Sequence, residues 1–386
     1  MHHLDLRLRT GRALLVAAAC AALSACAGQQ KPQADVVWPL PPDMPRVKHV
    51  RSFGSNDDLA SGTFAALGRA FLPSASEAVV AQPTGLALSP DERTLYVASN
   101  SAGRVLTVDL EKWSMRLMSF PDENRPAGPF GVATDAEGRL YVTDHLANVV
   151  RVYSPEGKSL LKFGELQLQR PTGIAIDRRR GLVYVTAGAG SESKHHRVEV
   201  FTLQGKYVRT IGTRGNDPGQ FNFPANLAVS KDGSLFVVDM LNFRVQVFDP
   251  EGVLVTSFGR IGDGQPGTFD KAKSVGFDSF GNIYVVDSQQ GYVQIFNDKF
   301  QPLMAFSGRA RARGYMAMPT AIAISSQNTI FVADFGGAAV HQFQLINTSA
   351  ADSYAPPPNS PGATQTSGSA PAPRDNPSPG SPTPLR

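Results

Sequence analysis

Short runs in this chain place apolar residues at every second position, and the runs return in a fixed order. The clearest is Arg244-Val245-Gln246-Val247-Phe248. It is echoed by Val150-Arg151-Val152-Tyr153, Arg197-Val198-Glu199-Val200-Phe201, Tyr292-Val293-Gln294-Ile295-Phe296 and Val340-His341-Gln342-Phe343, with Arg104-Val105 opening the first. Alternation of period two marks a half-buried β-strand. Ahead of each stands a more uniformly apolar run: Leu95-Tyr96-Val97, Leu140-Tyr141-Val142, Val183-Tyr184-Val185, Leu235-Phe236-Val237, Ile283-Tyr284-Val285 and Ile330-Phe331-Val332. Its aromatic returns about every 47 residues, the spacing of a repeat architecture.

Each unit opens on another motif: Pro83-Thr84-Gly85-Leu86-Ala87, Pro129-Phe130-Gly131-Val132-Ala133, Pro171-Thr172-Gly173-Ile174-Ala175, Pro224-Ala225-Asn226-Leu227-Ala228, Lys273-Ser274-Val275-Gly276-Phe277 and Pro319-Thr320-Ala321-Ile322-Ala323. Turn signals such as Asp135-Ala136-Glu137-Gly138 and Ser230-Lys231-Asp232-Gly233 separate the first two strands, with Gly where a tight turn needs positive φ. A shorter fourth strand follows, as at Ser159–Phe163 and Tyr207–Ile211. Six units of four antiparallel strands predict an all-β chain folded as a six-bladed β-propeller. The sixth unit lacks a good fourth strand. Residues 46–54 read like one, which predicts that the N-terminal segment closes the ring. Phe64, Leu67, Phe71 and Leu72 fall at helical spacing in an insertion near 60–80.

These motifs resemble the NHL repeat family: Pro-x-Gly-Val/Ile-Ala, then Asp-x-x-Gly-x-Ile/Leu-Tyr-Val-x-Asp, then Asn-x-Arg-Val-x-Val-Phe. Residues 230–248 match best, with Asp239, Asn242 and Arg244 in place, as does the linker 212–221. The resemblance covers about residues 83–345. It implies the propeller and a non-catalytic scaffold that binds a protein or small ligand. The other activity implied is a metal-dependent hydrolase or lyase, lactonase-like or like the peptidyl-hydroxyglycine lyases. The latter hold zinc through His in the second position of the opening motif. By the alignment above that position holds Thr84, Phe130, Thr172, Ala225, Ser274 and Thr320, none of them His.

The ends read differently. Residues 1–25 carry Arg7, Arg9 and Arg12 before a short apolar run, the form of an export signal. Leu23-Ser24-Ala25-Cys26 resembles a bacterial lipobox, which predicts lipidation at Cys26. With Ala27 following, the resemblance implies a cell-envelope protein anchored in the outer membrane and facing the periplasm. Residues 26–45 read as a Pro-rich spacer, 46–346 as the propeller, and 347–386 as a Pro/Ser/Gly-rich disordered tail. The balance of 37 Lys+Arg against 33 Asp+Glu gives only +4, which argues against nucleic acid as a partner. The expected partner is an envelope protein or small ligand, and the expected state a monomer.

In a propeller the connections after the second strand and the inter-blade linkers share one face. Asp144, Asp239, Asp287 and Asp334 end second strands at equivalent positions on it. A ring of carboxylates there could hold Ca²⁺, or each could cap its own turn. Arg309, Arg311 and Arg313 make one linker of that face basic. The four Asp and three Arg form the expected binding face. No catalytic residue, metal ligand or cofactor is assigned; Ca²⁺ or another channel-mouth metal has only that ring to recommend it. Lys194-His195-His196-Arg197 reads as a solvated loop, and Arg178-Arg179-Arg180 as a solvated tip opposite the binding face.

Overall fold

The computed structural model describes residues 35–59, 78–190, 193–262 and 264–349. The signal, Cys26, most of the 60–80 insertion and nearly all of the C-terminal tail lie outside them. Six small antiparallel sheets stand in a ring, each with its innermost strand at the central channel. Blade one runs Pro83–Leu88, Thr94–Ser99, Arg104–Asp109 and Ser114–Leu117 from the axis outward. Blade four, nearest the repeat pattern, runs Pro224–Val229, Leu235–Asp239, Arg244–Phe248 and Leu254–Phe258. Blade six has three strands in sequence, Pro319–Ile324, Thr329–Asp334 and Ala339–Leu345. Its fourth is Val47–Phe53, paired antiparallel to Ala339–Leu345. The closure expected from the sequence is thus present. Val37–Trp38 adds a fifth strand outside it, so part of the Pro-rich stretch before residue 46 belongs to the sheet. Trp38 is buried edge-on to Phe343 at 5.8 Å.

The core lies between blades. Six clusters fill six interfaces, and each takes the second-strand aromatic of one blade. Tyr96 packs with Val132 and Val142 of blade two, Tyr141 with Ile174 and Val183 of blade three, and Tyr184 with Leu227 and Val237 of blade four. Phe236 packs with Val275 and Val285, Tyr284 with Ile322 and Val332, and Phe331 with Leu86 and Val97, which completes the circle. Burying each ring contributes about 2–3 kcal/mol.

Two linkers fold back on themselves. Thr213–Arg214 pairs parallel with Gln220–Phe221, and Arg260–Ile261 with Thr268–Phe269. Gly212 (φ +74°) and Gly259 (φ +93°) start them, and a Cβ at either would sit 2.3 Å from the ring of Phe221 or Phe269. Only glycine meets both demands.

The closing strand carries a buried imidazole. His49 Nε2 lies 2.9 Å from Ser52 Oγ, which lies 2.8 Å from His341 Nδ1; His341 Nε2 faces Asp334 at 3.5 Å. Burial pushes His49 down to about 4, with the charges of His341 and Arg313 acting the same way. The unfolded chain, with His near 6.5, therefore binds a proton that the fold refuses. Stability is full above about pH 6.5 and falls as pH drops toward 4. His145, lowered by its own burial and by Arg170, contributes to the same limb. Burial would raise Asp334, but bonds from His341, Ala317, Met318 and Gly337 outweigh it and hold its carboxyl at about 2; its contribution is lost only below pH 4. Thermal unfolding against pH is expected to show this descent, and His49→Gln to shrink its upper part alone. Deleting residues 46–54 is expected to lower Tm by about 10 °C or more, since it opens the blade-six edge. Deleting 351–386 is expected to leave Tm almost unmoved.

Candidate functional site

On the face shared by the linkers and the second-to-third strand turns, the channel widens into a cavity of about 440 Å³. The residues that build it come from one place in each repeat. In blades one, two, four, five and six the first pair of strands breaks register just after the opening residue, as between Pro83 and Gly85 or between Pro319 and Ala321. Such a bulge re-aims a side chain. The six residues at this position, Thr84, Phe130, Thr172, Ala225, Lys273 and Thr320, all line the mouth.

Blade five corrects the sequence alignment. Leu86 pairs with Val97, and its counterpart across from Val285 is Val275. The opening motif is therefore Ala272-Lys273-Ser274-Val275-Gly276, one residue earlier than read from the sequence. Lys273, not Ser274, holds the second position. Blade five lacks both the proline and the glycine that fix the register in blades one to three, Ala272 and Ser274 standing in their places. Ala272 lies across from Asp287, where blades one, two, four and six have Pro across from the end of the second strand.

The mouth's hydroxyls are spent on the ring. Thr84 Oγ1 donates to Phe130 O at 2.9 Å, and Thr320 Oγ1 to Pro83 O at 2.8 Å, each crossing to the next blade. Thr172 Oγ1 meets Thr186 Oγ1 at 2.8 Å. The motif glycines let inner strands converge: a Cβ on Gly131 would stand 2.3 Å from Thr172 O. Asn226 and Ser274 replace glycine in blades four and five, and bond to each other at 3.0 Å. Aromatic rings of Phe130, Phe223 and Phe335 complete the wall.

Lys273 is the one charged side chain of that lining. Desolvation by burial lowers its pKa, and Lys271 adds repulsion. Its Nζ sits 5.9 Å from the centroid of Phe223, a weak cation–π distance. The sequence signal was there, a lysine in a position otherwise held by neutral residues, but the one-residue slip hid it.

The four aspartates are latches. Their side chains are buried, and each grips the linker before its own blade. Asp144 accepts from the N–H groups of Ala127, Gly128 and Ala147 at 2.9, 3.0 and 3.1 Å and from Arg151 Nε at 2.8 Å. Asp239 accepts from Asn222 N–H, Asn242, Arg244 and Gln246, at 2.7, 2.8, 2.9 and 3.1 Å. Asp287 accepts from Asp270 and Lys271 N–H at 2.7 and 3.2 Å, and Asp334 from Ala317 and Met318 N–H at 2.8 and 2.7 Å. Burial raises Asp239 above the usual range despite its donors; in Asp144 the donors outweigh burial and hold it below. The structure places these carboxylates inside their blades, not together on an open ring. This is the turn-capping role. Gln246 and Gln294 extend it, their Oε1 taking the N–H of Gly219 and Gly267 at 2.8 and 2.9 Å. Among the described residues no three His, Cys, Asp or Glu side chains come together in a way that could hold a metal.

The basic residues divide. Arg309, Arg311 and Arg313 are exposed on the linker after blade five, as expected. Arg178 lines the opposite end of the channel and donates to Thr134 O at 3.1 Å, so the triple-Arg segment is only in part a free tip. His196 is buried rather than solvated. Its Nδ1 accepts the N–H of Phe223 at 3.2 Å, so its Nε2 donates to Gly190 O at 3.0 Å.

Asp239→Ala is expected to leave Arg244 and Gln246 without their acceptor and to cost about 3–5 kcal/mol, read as a large fall in Tm. Changing Arg309, Arg311 and Arg313 together to Ser is expected to stay within about 0.5 kcal/mol.

Residues 74–187 match a family model described as the SMP-30/gluconolactonase/LRE-like region. NHL repeat-containing protein 3 of Mus musculus is 29% identical over 181 residues, 44% of this chain and 51% of that protein. The peptidylglycine alpha-amidating monooxygenase of Rattus norvegicus is 28% identical over 247 residues, 56% of this chain and 23% of that protein. The chain spans about half the length of these curated relatives or less. Among solved structures, virginiamycin B lyase from Staphylococcus aureus shares the fold with a TM-score of 0.50 at 15% identity, over 68% of this chain and 95% of that one. Repeats, ring and likenesses agree: the chain is a six-bladed β-propeller built of NHL-like repeats.

Proposed function

We propose that this is a lipid-anchored protein of the bacterial cell envelope whose propeller is a non-catalytic binding platform, with the channel mouth and the linker face around it as the working surface. The observation that carries the reading is the mouth itself. Its wall is a set of aromatic rings and backbone-tied hydroxyls, and neither a carboxylate nor an imidazole lines it. Metal-assisted hydrolysis or elimination needs a set of metal ligands at the reacting atoms; binding needs concave apolar surface with a few polar groups. The anchor rests on the lipobox-like Leu23-Ser24-Ala25-Cys26. The exposed Arg309, Arg311 and Arg313 suit an acidic partner surface, where rim charges raise the association rate and set its salt sensitivity.

Fractionation tests the anchor: Cys26→Ser is expected to move the protein from the membrane fraction to soluble periplasm, and retention of a processed mutant in the membrane would refute it. Cross-linking with mass spectrometry tests the face. The triple Arg-to-Ser change is expected to thin cross-links to envelope proteins without altering Tm. Metal analysis of the purified propeller tests the non-catalytic part, since one equivalent of metal retained through dialysis would favour a hydrolase or lyase.

A further inference from the structure

We propose that the channel mouth binds a small organic monoanion, with its acidic group on Lys273 Nζ and its apolar or aromatic body against Phe130, Phe223 and Phe335. The inference rests on the binding-platform reading and specifies its ligand.

A cation taken out of water needs a counter-charge. Among the described residues no ion pair or side-chain hydrogen bond to Lys273 is formed, and the charge that acts on it is a second cation, Lys271. Lysine offers three donors and accepts nothing, so the vacant partner has to be an acceptor, and a negative one. One lysine in the lining calls for one negative charge. The rings around it call for an apolar body, and Asn226, Asn100, Ser101 and Ser288 at the edge offer secondary polar contacts.

Phe223 supplies an aromatic ring beside that charge. Its backbone is left-handed at φ +61°, a conformation that costs an aromatic residue energy and persists only where its surroundings enforce it. His196 enforces it by accepting its N–H at 3.2 Å, and Met240 N–H binds its carbonyl at 3.3 Å. The ring is thereby held over Lys273. The residue before the opening proline is left-handed in blades one and three as well, at Gln82 (φ +48°) and Arg170 (φ +45°), so the conformation belongs to the repeat; what blade four adds there is an aromatic ring facing a half-buried cation.

Two fluorescent probes with the same body separate the terms: 8-anilinonaphthalene-1-sulfonate, and N-phenyl-1-naphthylamine, which lacks only the sulfonate. The intact propeller is expected to bind one equivalent of the anion about tenfold more tightly than the neutral probe. Lys273→Met and Lys273→Gln are expected to erase that preference while keeping neutral-probe affinity within about twofold. Both should also raise Tm, by about 2 °C or more, because they remove a half-buried charge that has no counter-ion. Lys271→Met is the control and should leave the preference intact. Phe130→Ala should weaken both probes. Equal affinity for the two probes, or a preference that survives both Lys273 changes, overturns the anion inference alone. Failure of either probe to bind, or indifference of both to Phe130→Ala, overturns it together with the mouth as a binding site.

Discussion

Every sheet in this molecule has two apolar faces, and that is the constraint on which the rest depends. A four-stranded blade with Tyr141 and Val152 on one face and Val142 and Tyr153 on the other cannot stand in water. Another blade must cover each face, and a row of blades ends only by closing on itself. Phe331 of blade six packing on Leu86 and Val97 of blade one is the contact that removes the last open face. Closure then fixes what happens at the axis. Six inner strands converge until a Cβ on Gly85 would meet Phe130 O at 2.5 Å, so the opening motif takes glycine there and leaves its chemistry to the residue before.

The chain seals this closed ring with its own beginning. Val47–Phe53 hydrogen-bonds to the last strand, and Ile346 N–H bonds Arg46 O at 2.8 Å. The first-to-last interface is thus held by backbone pairing as well as by packing of Phe53 and Val340. That seam is also where the titratable groups gather: His49 and His341 share Ser52, and Asp334 lies beyond. The part of the fold assembled from the greatest sequence separation is thus sensitive to proton uptake, because His49 is buried where a charge is disfavoured.

The fold was legible because its rules are periodic. Tyr96, Tyr141, Tyr184, Phe236, Tyr284 and Phe331 announce six units, and residues 46–54 could be matched to a missing strand by likeness to residues 206–212. The site was less legible because it sits where the period breaks. A bulge inserts one residue, and in blade five neither proline nor glycine marks the opening motif at its register, Ala272-Lys273-Ser274. Only pairing of Val275 with Val285 shows Lys273 at the mouth. The aspartates left two readings open. Their regular spacing suits a ring of ligands or a cap on each turn, and a carboxylate repeated once per blade is what a repeated latch requires. Asp239 and Asp287 each face donors of their own linker, and the mouth lies elsewhere. His196 looked like part of a solvated tract; its burial depends on Phe223, which is distant in the sequence.

Repetition and function therefore occupy different residues in each blade. Positions that recur, the buried aromatic, the latch aspartate and the motif glycine, are committed to building the ring and lie inside it, away from the mouth's wall except where the motif glycine's backbone reaches it. The bulged position is the exception. Its backbone is held by neighbours, but its side chain faces the cavity and carries no structural duty that demands one residue type: threonine, phenylalanine, alanine and lysine all occur there. Variation at that point costs the fold little, so it is where a propeller can acquire specificity. In this chain three of the six are threonines, each reaching a backbone carbonyl of the next blade. What remains to distinguish one ligand from another is an aromatic wall and a single desolvated lysine, and the binding chemistry of the mouth follows from those two features.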